Sequence, residues 1–231
     1  MIQVNNIAKA YNGTVVLDIP GLKIEKGESF GLVGNNGAGK TTFFRLILDL
    51  LKANKGEIHS QGVDVKKTTD WKTYTGSYLD ENFLIDFLTP EEYFDFIGSV
   101  NNLTKGDVKK FLEQFDDFFN GEILDKKKYI RDLSRGNKQK VGIAAALISN
   151  PEILVLDEPF SGLDPTTQIR LKNLLKQLKT EKNVTMLISS HDLNHITEVC
   201  ERIVVLEKGK VIHDIKTSSD TLNELENYFA V

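Results

Sequence analysis

The sequence is poor in cysteine, proline and net charge, and it contains no long apolar run. Cys200 is the one cysteine among 231 residues, which excludes an internal disulfide and a cysteine metal site. No 18 consecutive residues are apolar and uncharged, so no segment is predicted to cross a bilayer. A net charge of −4 argues against a broad nucleic-acid surface, and no nucleic-acid partner is expected. The first residues lack a basic region followed by an apolar stretch, which predicts a cytoplasmic protein.

Residues 34–42 carry the phosphate-binding pattern G-x-x-x-x-G-K-[ST]. The apolar run before them, residues 29–33, is predicted to be a buried strand, and the run at residues 43–51 a helix, which is the setting that this pattern requires. The alternative is a chance glycine-rich turn. We predict that the loop binds a nucleotide through Gly34, Asn35, Asn36, Gly37, Ala38, Gly39, Lys40, Thr41 and Thr42.

The physical basis of this prediction is a curled backbone whose N–H groups point inward. Glycines at three positions of the loop permit such a curl, and a helix beginning near Lys40 adds free N–H donors and the positive end of its dipole. The Lys40 ammonium suits the β- and γ-phosphates, and the Thr41 hydroxyl suits a magnesium ion.

A second apolar strand, residues 153–156, ends in two carboxylates, Asp157 and Glu158. The carboxyl end of a strand is where an open α/β sheet presents its ligand residues. We expect Asp157 to orient magnesium or its water shell, and Glu158 to accept a proton from a water behind the γ-phosphate or to orient that water. The alternative is an ordinary helix N-cap.

The pattern of apolar residues divides the chain into three parts. Residues 2–8, 14–19, 22–24, 56–60 and 63–65 read as short antiparallel strands, and residues 74–79 as a further strand. Helices are predicted after Thr89 and after Thr104, the second one carrying Val108, Phe111, Leu112, Phe115 and Phe118. From residue 137 onward, helices and strands alternate, which predicts a mostly parallel sheet covered on both faces.

Further motifs make the chain similar, over its whole length, to the nucleotide-binding subunit of an ATP-binding cassette (ABC) transporter. Residues 133–137 resemble the signature motif L-S-G-G-Q, and residues 161–164 resemble the D-loop. His191 resembles the switch histidine, Tyr11 the aromatic that stacks on adenine, and residues 76–81 occupy the place of the Q-loop. The Lys138–Gln139–Lys140 segment resembles export-type cassettes, and no importer-like C-terminal domain is recognised, so we predict export over import.

The resemblance implies an α/β fold with a P-loop NTPase core, an N-terminal antiparallel β subdomain and a helical subdomain. The chain is then a single domain, residues 1–231, in which residues 81–133 form the helical part and residues 1–80 and 134–231 the rest. ATP and Mg²⁺ are the implied cofactors. The implied catalytic residues are Lys40, Glu158 and His191, and the implied metal residues are Thr41, Asp157 and Asp80. A structural role for His191, and a purely structural aromatic at Tyr11, are the alternatives.

Ser134 and Gly136 begin a helix, and the resemblance implies that they close over ATP held by another subunit. The expected assembly is a head-to-tail homodimer or heterodimer, bound to a separate transmembrane permease on the inner face of the cell membrane. The alternative for this helix start is ordinary capping. The surface of this chain expected to receive the permease is the aromatic start of the helical part: Phe83, Leu84, Ile85, Phe87 and Leu88, with Tyr93 and Phe94 nearby. The alternative is that these side chains pack the core of the helical part.

Three positions depart from the family pattern. Arg135 replaces a glycine and Asn137 a glutamine in the signature, while Asp80 stands where the Q-loop has glutamine, which exchanges an amide for a carboxylate that cannot donate. Two other functions stay open, and the second of them rests on Asp80 and Arg135. One is a soluble cassette ATPase acting on ribosomes or DNA, although the segment between the phosphate loop and the signature shows no sustained heptads. The other is a catalytically degenerate subunit, which Glu158 and His191 oppose.

Overall fold

The computed structural model describes residues 1–230. Its strands are β1 (Ile2–Tyr11), β2 (Thr14–Ile24), β3 (Ser29–Val33), β4 (Lys55–Ser60), β5 (Val63–Asp64), β6 (Thr75–Tyr78), β7 (Ile153–Leu156), β8 (Thr185–Ser190), β9 (Arg202–Glu207) and β10 (Lys210–Lys216). Its α-helices are α1 (Lys40–Ile47), α2 (Pro90–Val100), α3 (Lys105–Glu113), α4 (Asp116–Phe119), α5 (Arg135–Leu147), α6 (Pro165–Lys182), α7 (Leu193–Val199) and α8 (Thr221–Phe229).

The N-terminal sheet is antiparallel, with the strand order β2-β1-β4-β5. Strands β1 and β2 form a hairpin in which Ile2 pairs with Ile24 and Tyr11 pairs with Thr14. The prediction of two separate strands at residues 14–19 and 22–24 is wrong, because β2 continues through Pro20. β2 is an edge strand, where proline is tolerated because its missing N–H need not pair with a neighbour.

The second sheet has the order β10-β9-β3-β8-β7-β6, and every pair from β9 to β6 is parallel. Every residue of β3, β7 and β8 is buried, as expected for strands covered on both faces. The predicted strand at residues 74–79 is present as β6 at the edge of this sheet. Because the parallel strands share a direction, the loops after β3, β7 and β8 meet at one edge, where the predicted phosphate loop, acidic pair and histidine follow them.

The middle of the chain is helical and begins as its sequence predicts. Thr89 caps α2 in a capping box: its hydroxyl accepts from the Glu92 N–H, and the Glu92 carboxylate accepts from the Thr89 N–H. Thr104 caps α3 in the same way, with Asp107 as its partner. The single helix predicted from Val108 to Phe118 is wrong, because α3 ends at Glu113 and α4 begins at Asp116.

The break between α3 and α4 lets an aromatic cluster close. The ring centroids of Phe111 and Phe115 are 4.8 Å apart, and those of Phe94 and Phe119 are 6.0 Å apart. Ring packing of this kind contributes about 0.5–1.5 kcal/mol per pair beyond area burial. The apolar cluster that contains these rings continues to the residues beneath the parallel sheet.

Three further observations complete the fold. A Cβ on Gly31 of β3 would lie 2.6 Å from Cγ2 of Ile196, so glycine here permits the close approach of α7. Cys200 is buried beside Gly31, and burial raises the pKa of its thiol. None of the helices in residues 1–230 combines the length and the apolar character needed to cross a bilayer.

Candidate functional site

The predicted phosphate loop connects β3 to α1. Gly37 and Gly39 adopt left-handed backbone angles, with φ of 82° and 109°, which glycine adopts without steric cost. A Cβ on Gly34 would lie 2.3 Å from the Leu206 carbonyl oxygen, so no side chain fits there. Lys40, the first residue of α1, folds back across the loop and donates from Nζ to the Gly34 carbonyl at 2.6 Å. The loop therefore has the curled backbone and the inward lysine that the sequence predicts.

Lys40, Glu158 and His191 form a continuous polar chain. The Lys40 side chain is 7% exposed, and its ammonium lies 3.2 Å from Oε1 of Glu158. The other oxygen of Glu158, Oε2, lies 2.8 Å from Nδ1 of His191 and accepts from the His191 backbone N–H at 3.2 Å. Lys40, which follows β3, and His191, which follows β8, thus both contact the carboxylate of Glu158, which follows β7.

Asp157 is buried next to this chain and contacts Thr41. The Thr41 hydroxyl donates to Oδ2 of Asp157 at 2.5 Å, and the Ser189 hydroxyl donates to Oδ1. Burial raises the pKa of Asp157, and the two hydroxyl donors oppose that rise. A hydroxyl and a carboxylate side by side are hard oxygen donors of the kind that Mg²⁺ takes from proteins, together with waters and phosphate oxygens. The donor set therefore fits magnesium.

Asp80, the third predicted metal residue, contacts neither Thr41 nor Asp157 through the hydrogen bonds that its carboxylate makes. Its Oδ1 accepts from the Asn82 N–H at 2.8 Å, and its Oδ2 lies 3.4 Å from the Arg45 guanidinium. It borders, with Asp157 and Glu158, a cavity of about 260 Å³. Sequence reasoning missed Arg45, although its spacing of four residues from Thr41 on a predicted helix puts both side chains on one face.

Tyr11 and the phosphate loop line a common cleft of about 270 Å³. Tyr11 stands at the end of β1 and is 45% exposed, so its ring is available to a ligand. Among the predicted nucleotide-binding residues, those that line the cleft with it are Asn35, Asn36, Gly37, Ala38, Gly39, Lys40, Thr41 and Thr42, and Val16 and Glu158 complete its wall.

The signature residues stand apart from this cleft. Ser134 caps α5, its hydroxyl accepting from the Asn137 N–H at 3.2 Å, and neither Ser134 nor Gly136 lines the cleft around Tyr11. A Cβ on Gly136 would lie 2.9 Å from the Gly162 carbonyl oxygen, so the signature packs on the predicted D-loop of the same chain. Arg135 lies beside the same loop, 3.5 Å from the Ser161 hydroxyl.

Gln139 is a site residue whose contact was not predicted. It is buried in α5, and its amide donates to the Glu158 carbonyl at 2.9 Å, which ties the signature helix to the acidic loop. Its neighbour Lys140 is also buried and pairs with Glu122 at 2.9 Å. A polar side chain at a buried helical position is the signal that could have indicated such a contact.

Comparison with known proteins identifies the family. Residues 17–161 match a family model described as ABC transporter. The chain belongs to the ABC transporter family. It is 35% identical, over 92% of its length and 76% of the relative's, to an uncharacterised ABC transporter ATP-binding protein, MJ1023, of Methanocaldococcus jannaschii. It is 33% identical to a bacitracin transport ATP-binding protein, BcrA, of Enterococcus faecalis, over 94% of its own length and 70% of that protein's.

An importer is also among the relatives of this ABC protein. A methionine import ATP-binding protein, MetN, of Carboxydothermus hydrogenoformans is 33% identical over 93% of this chain and 66% of its own length. The comparisons therefore confirm the predicted family but not its export type. Nothing in them supports a cassette acting on ribosomes or DNA. The chain spans about half the length of one curated relative, an uncharacterised ABC transporter ATP-binding protein of Synechocystis, 54% of which it covers, and 76% of the length of MJ1023.

Solved structures confirm the predicted fold class. The cassette MJ0796, in a dimeric post-hydrolysis state bound to ADP and Pi, superposes with a TM-score of 0.85 and 26% identity, over 95% of this chain and all of that one. The cbiO1 protein of Clostridium perfringens, part of an ABC transporter complex, has a TM-score of 0.79 and 27% identity over the whole chain and 93% of its own. ATP-binding domains of this family are ATPases, and this chain has their α/β architecture.

Proposed function

We propose that this chain is the Mg²⁺-dependent ATPase subunit that powers transport through a separate transmembrane permease. The single observation that carries the proposal is the contact of Glu158 with both Lys40 and His191, next to the contact of Thr41 with Asp157. Both acids stand at the same sheet edge as the phosphate loop, next to the lysine, hydroxyl and histidine that a hydrolytic site would use. This argues against a degenerate subunit.

Lys40 would bind the β- and γ-phosphates, and Thr41 and Asp157 would hold the magnesium ion, which when bound neutralises charge on the phosphate oxygens. In the structure the Lys40 ammonium contacts the Gly34 carbonyl and Glu158. A triphosphate would draw this ammonium away, so that Glu158 becomes free to act as a base. The phosphates thus replace the contacts that Lys40 makes within the chain.

Glu158 would then accept the proton of a water that attacks the γ-phosphorus, as the bond from that phosphorus to the ADP oxygen breaks. His191 would donate to an oxygen of the γ-phosphate. Tyr11 would stack on the adenine. Asp80, which also contacts Arg45, would be a further carboxylate for holding the magnesium ion.

The proposed working unit is a homodimer or heterodimer with two nucleotides between the subunits. Support comes from the position of Ser134 and Gly136, outside the cleft that Tyr11 and the phosphate loop line in the same chain. A helix N-terminus offers free N–H donors to a phosphate, so Ser134 at the start of α5 suits the nucleotide of a second subunit. Binding to a permease would hold this dimer at the cytoplasmic face of the membrane.

Replacing Glu158 by Gln tests the proposal. The amide cannot accept the proton, so we expect ATP turnover to fall by about 10²- to 10⁴-fold while ATP binding persists. Size-exclusion chromatography with ATP and Mg²⁺ should show an ATP-bound dimer that the unaltered protein does not accumulate. The matched control is Glu113→Gln on the exposed face of α3, which should hydrolyse ATP normally. Fast turnover by the Glu158 variant would refute the role given to this carboxylate.

The proposed direction is export, which rests on the resemblance of Lys138–Gln139–Lys140 to export-type cassettes. In vesicles that carry the complex with this subunit outside, export would deliver labelled cargo to the lumen when ATP is added. Bacitracin and methionine, named for two relatives, are the first cargoes to test. Release of preloaded cargo from the lumen on addition of ATP would indicate import instead.

A further inference from the structure

We propose that Lys9 is a positioning residue for the nucleotide base. Its ammonium lies over the ring of Tyr11, 4.9 Å from the centroid, and holds that ring so that its free side is presented to the base. The inference rests on the proposed stacking of Tyr11 on adenine and adds to it the residue that fixes the ring. Lys9 itself would not contact the nucleotide.

The contact follows from strand geometry. Lys9 and Tyr11 are two residues apart on β1, so their side chains leave the same side of the strand. A lysine ammonium within about 6 Å of a ring centroid is attracted to the negative face of the ring. Tyr11 is 45% exposed, and the Lys9 ammonium packs over its ring.

The ammonium is held from a second direction. Lys9 Nζ donates to the Lys52 carbonyl at 2.9 Å. The segment that provides this carbonyl is bound to β1 by two more hydrogen bonds, from the Asn54 N–H to the Ala8 carbonyl and from the Ala10 N–H to the Asn54 side chain, both at 2.8 Å. The same segment follows α1, which begins at Lys40. The position of the ring is thus tied to the element that carries the phosphate-binding lysine.

Lys9 approaches the ring from outside the nucleotide cleft. Tyr11 lines that cleft with Val16 and the phosphate loop, whereas Lys9 lines a separate depression with Asn54 and Lys55. The cation therefore covers part of the ring without occupying the space that a base would fill. The expected arrangement in the complex is a sandwich of base, Tyr11 ring and Lys9 ammonium.

The physical consequence is pre-organisation. A tyrosine at the end of a strand, next to the Asn12–Gly13 turn, would otherwise lose side-chain entropy when a base stacks on it. A ring that is already held loses less, so the stacked base binds more tightly. Because Lys9 acts only through the ring, its removal should affect ligands that have a base and leave the binding of bare phosphates unchanged.

The test compares ADP with pyrophosphate, neither of which turns over, by calorimetric titration in Mg²⁺. Lys9→Met should weaken ADP binding about two- to fivefold, the size of an exposed cation–π contact, and leave pyrophosphate binding unchanged. Tyr11→Ala should weaken ADP binding by between about fivefold and about a hundredfold. The double variant should bind ADP no worse than Tyr11→Ala alone, and Lys9→Arg should restore ADP binding. The matched control is Lys210→Met, an exposed lysine of β10.

Three results would overturn the inference. If Lys9→Met binds ADP like the unaltered protein while Tyr11→Ala binds it weakly, Lys9 has no positioning role and the proposed stacking stands. If Lys9→Met loses pyrophosphate binding to the same extent, Lys9 acts through charge or folding and not through the ring. If Tyr11→Ala binds ADP normally, the proposed stacking fails, and the inference fails with it.

Discussion

At the scale of single residues, Glu158 shows how the site is assembled. Its backbone is left-handed, with φ of 50°, a conformation that costs a non-glycine residue about 1–2 kcal/mol. Its N–H donates to the Ser189 hydroxyl at 2.9 Å, and its carbonyl accepts from the Gln139 amide. Both backbone polar groups of Glu158 are therefore hydrogen-bonded. The strained conformation turns the carboxylate toward Lys40 and His191. Strain of this kind is typical of functional positions.

His195 gives a residue-scale prediction of pH dependence. Its ring packs against Phe160, two residues after Glu158, with centroids 4.5 Å apart and the ring planes tilted by 32°. Burial lowers the pKa of His195 below the ordinary 6.5, although Asp192 acts to raise it. The unfolded chain therefore binds the His195 proton more readily than the folded chain does. The contribution of neutral His195 to the free energy of unfolding is complete above pH 6.5 and declines as the pH falls below that value. We expect the free energy of unfolding to fall with a slope of up to about 1.4 kcal/mol per pH unit.

Chemical denaturation at several pH values between about 7.5 and 5.5 measures this slope. In His195→Leu this part of the slope should disappear, whereas the exposed His213→Gln is the matched control and should retain it. The carboxyls of Glu122, Glu152 and Glu201 have lowered pKa values, so their contributions decline only below about pH 4.5, outside this window. An unchanged slope in His195→Leu would contradict the prediction.

At the scale of elements, the start of α2 depends on one local motif. Thr89→Ala removes the hydroxyl that accepts from the Glu92 N–H, and loss of such a cap destabilises a protein by about 1 kcal/mol. We expect a lower denaturation midpoint and faster amide exchange at the first turn of α2. Thr166→Ala, an exposed threonine in the first turn of α6, is the matched control because it is not the capping residue. Equal effects of both changes would show that the capping box does not stabilise α2.

At the scale of the whole molecule, the predicted aromatic surface for a membrane partner consists of exposed and buried residues. Phe83 and Phe87 are 50% and 63% exposed, whereas Leu84, Tyr93 and Phe94 are buried. The predicted aromatic dock is thus wrong in part, because these three side chains pack in the helical core. Two exposed phenylalanines four residues apart still offer apolar area to a short helix, and we propose that they receive the permease.

Phe83→Asp and Phe87→Asp should each abolish recovery of the permease when this subunit is purified from detergent-solubilised membranes. Nucleotide binding and thermal stability should persist, since neither side chain is buried. Ile169→Asp, 58% exposed on α6, is the control for an equally exposed apolar residue elsewhere. Undiminished recovery of the permease with both phenylalanine variants would refute this docking surface.

Local features could be predicted from the sequence because their causes lie within a few residues. The capping box of α2 and the strand, loop and helix around Lys40 are of this kind. The prediction for the end of α3 is wrong because the spacing of apolar residues does not show how Phe111, Phe115 and Phe119 pack against one another. Arg45 was missed because its partner Asp80 is distant in the sequence and adjacent only through the fold.

The sequence by itself determined which groups this cassette has: a phosphate loop, two carboxylates after a buried strand, and a histidine after another. Spacing and residue type specify such features, since they depend on local backbone geometry. Only the tertiary structure decided that Glu158 contacts both Lys40 and His191, and that Tyr93 and Phe94 are buried. The reason is physical: these contacts join strands and helices that are far apart in the chain, and packing alone sets their distances.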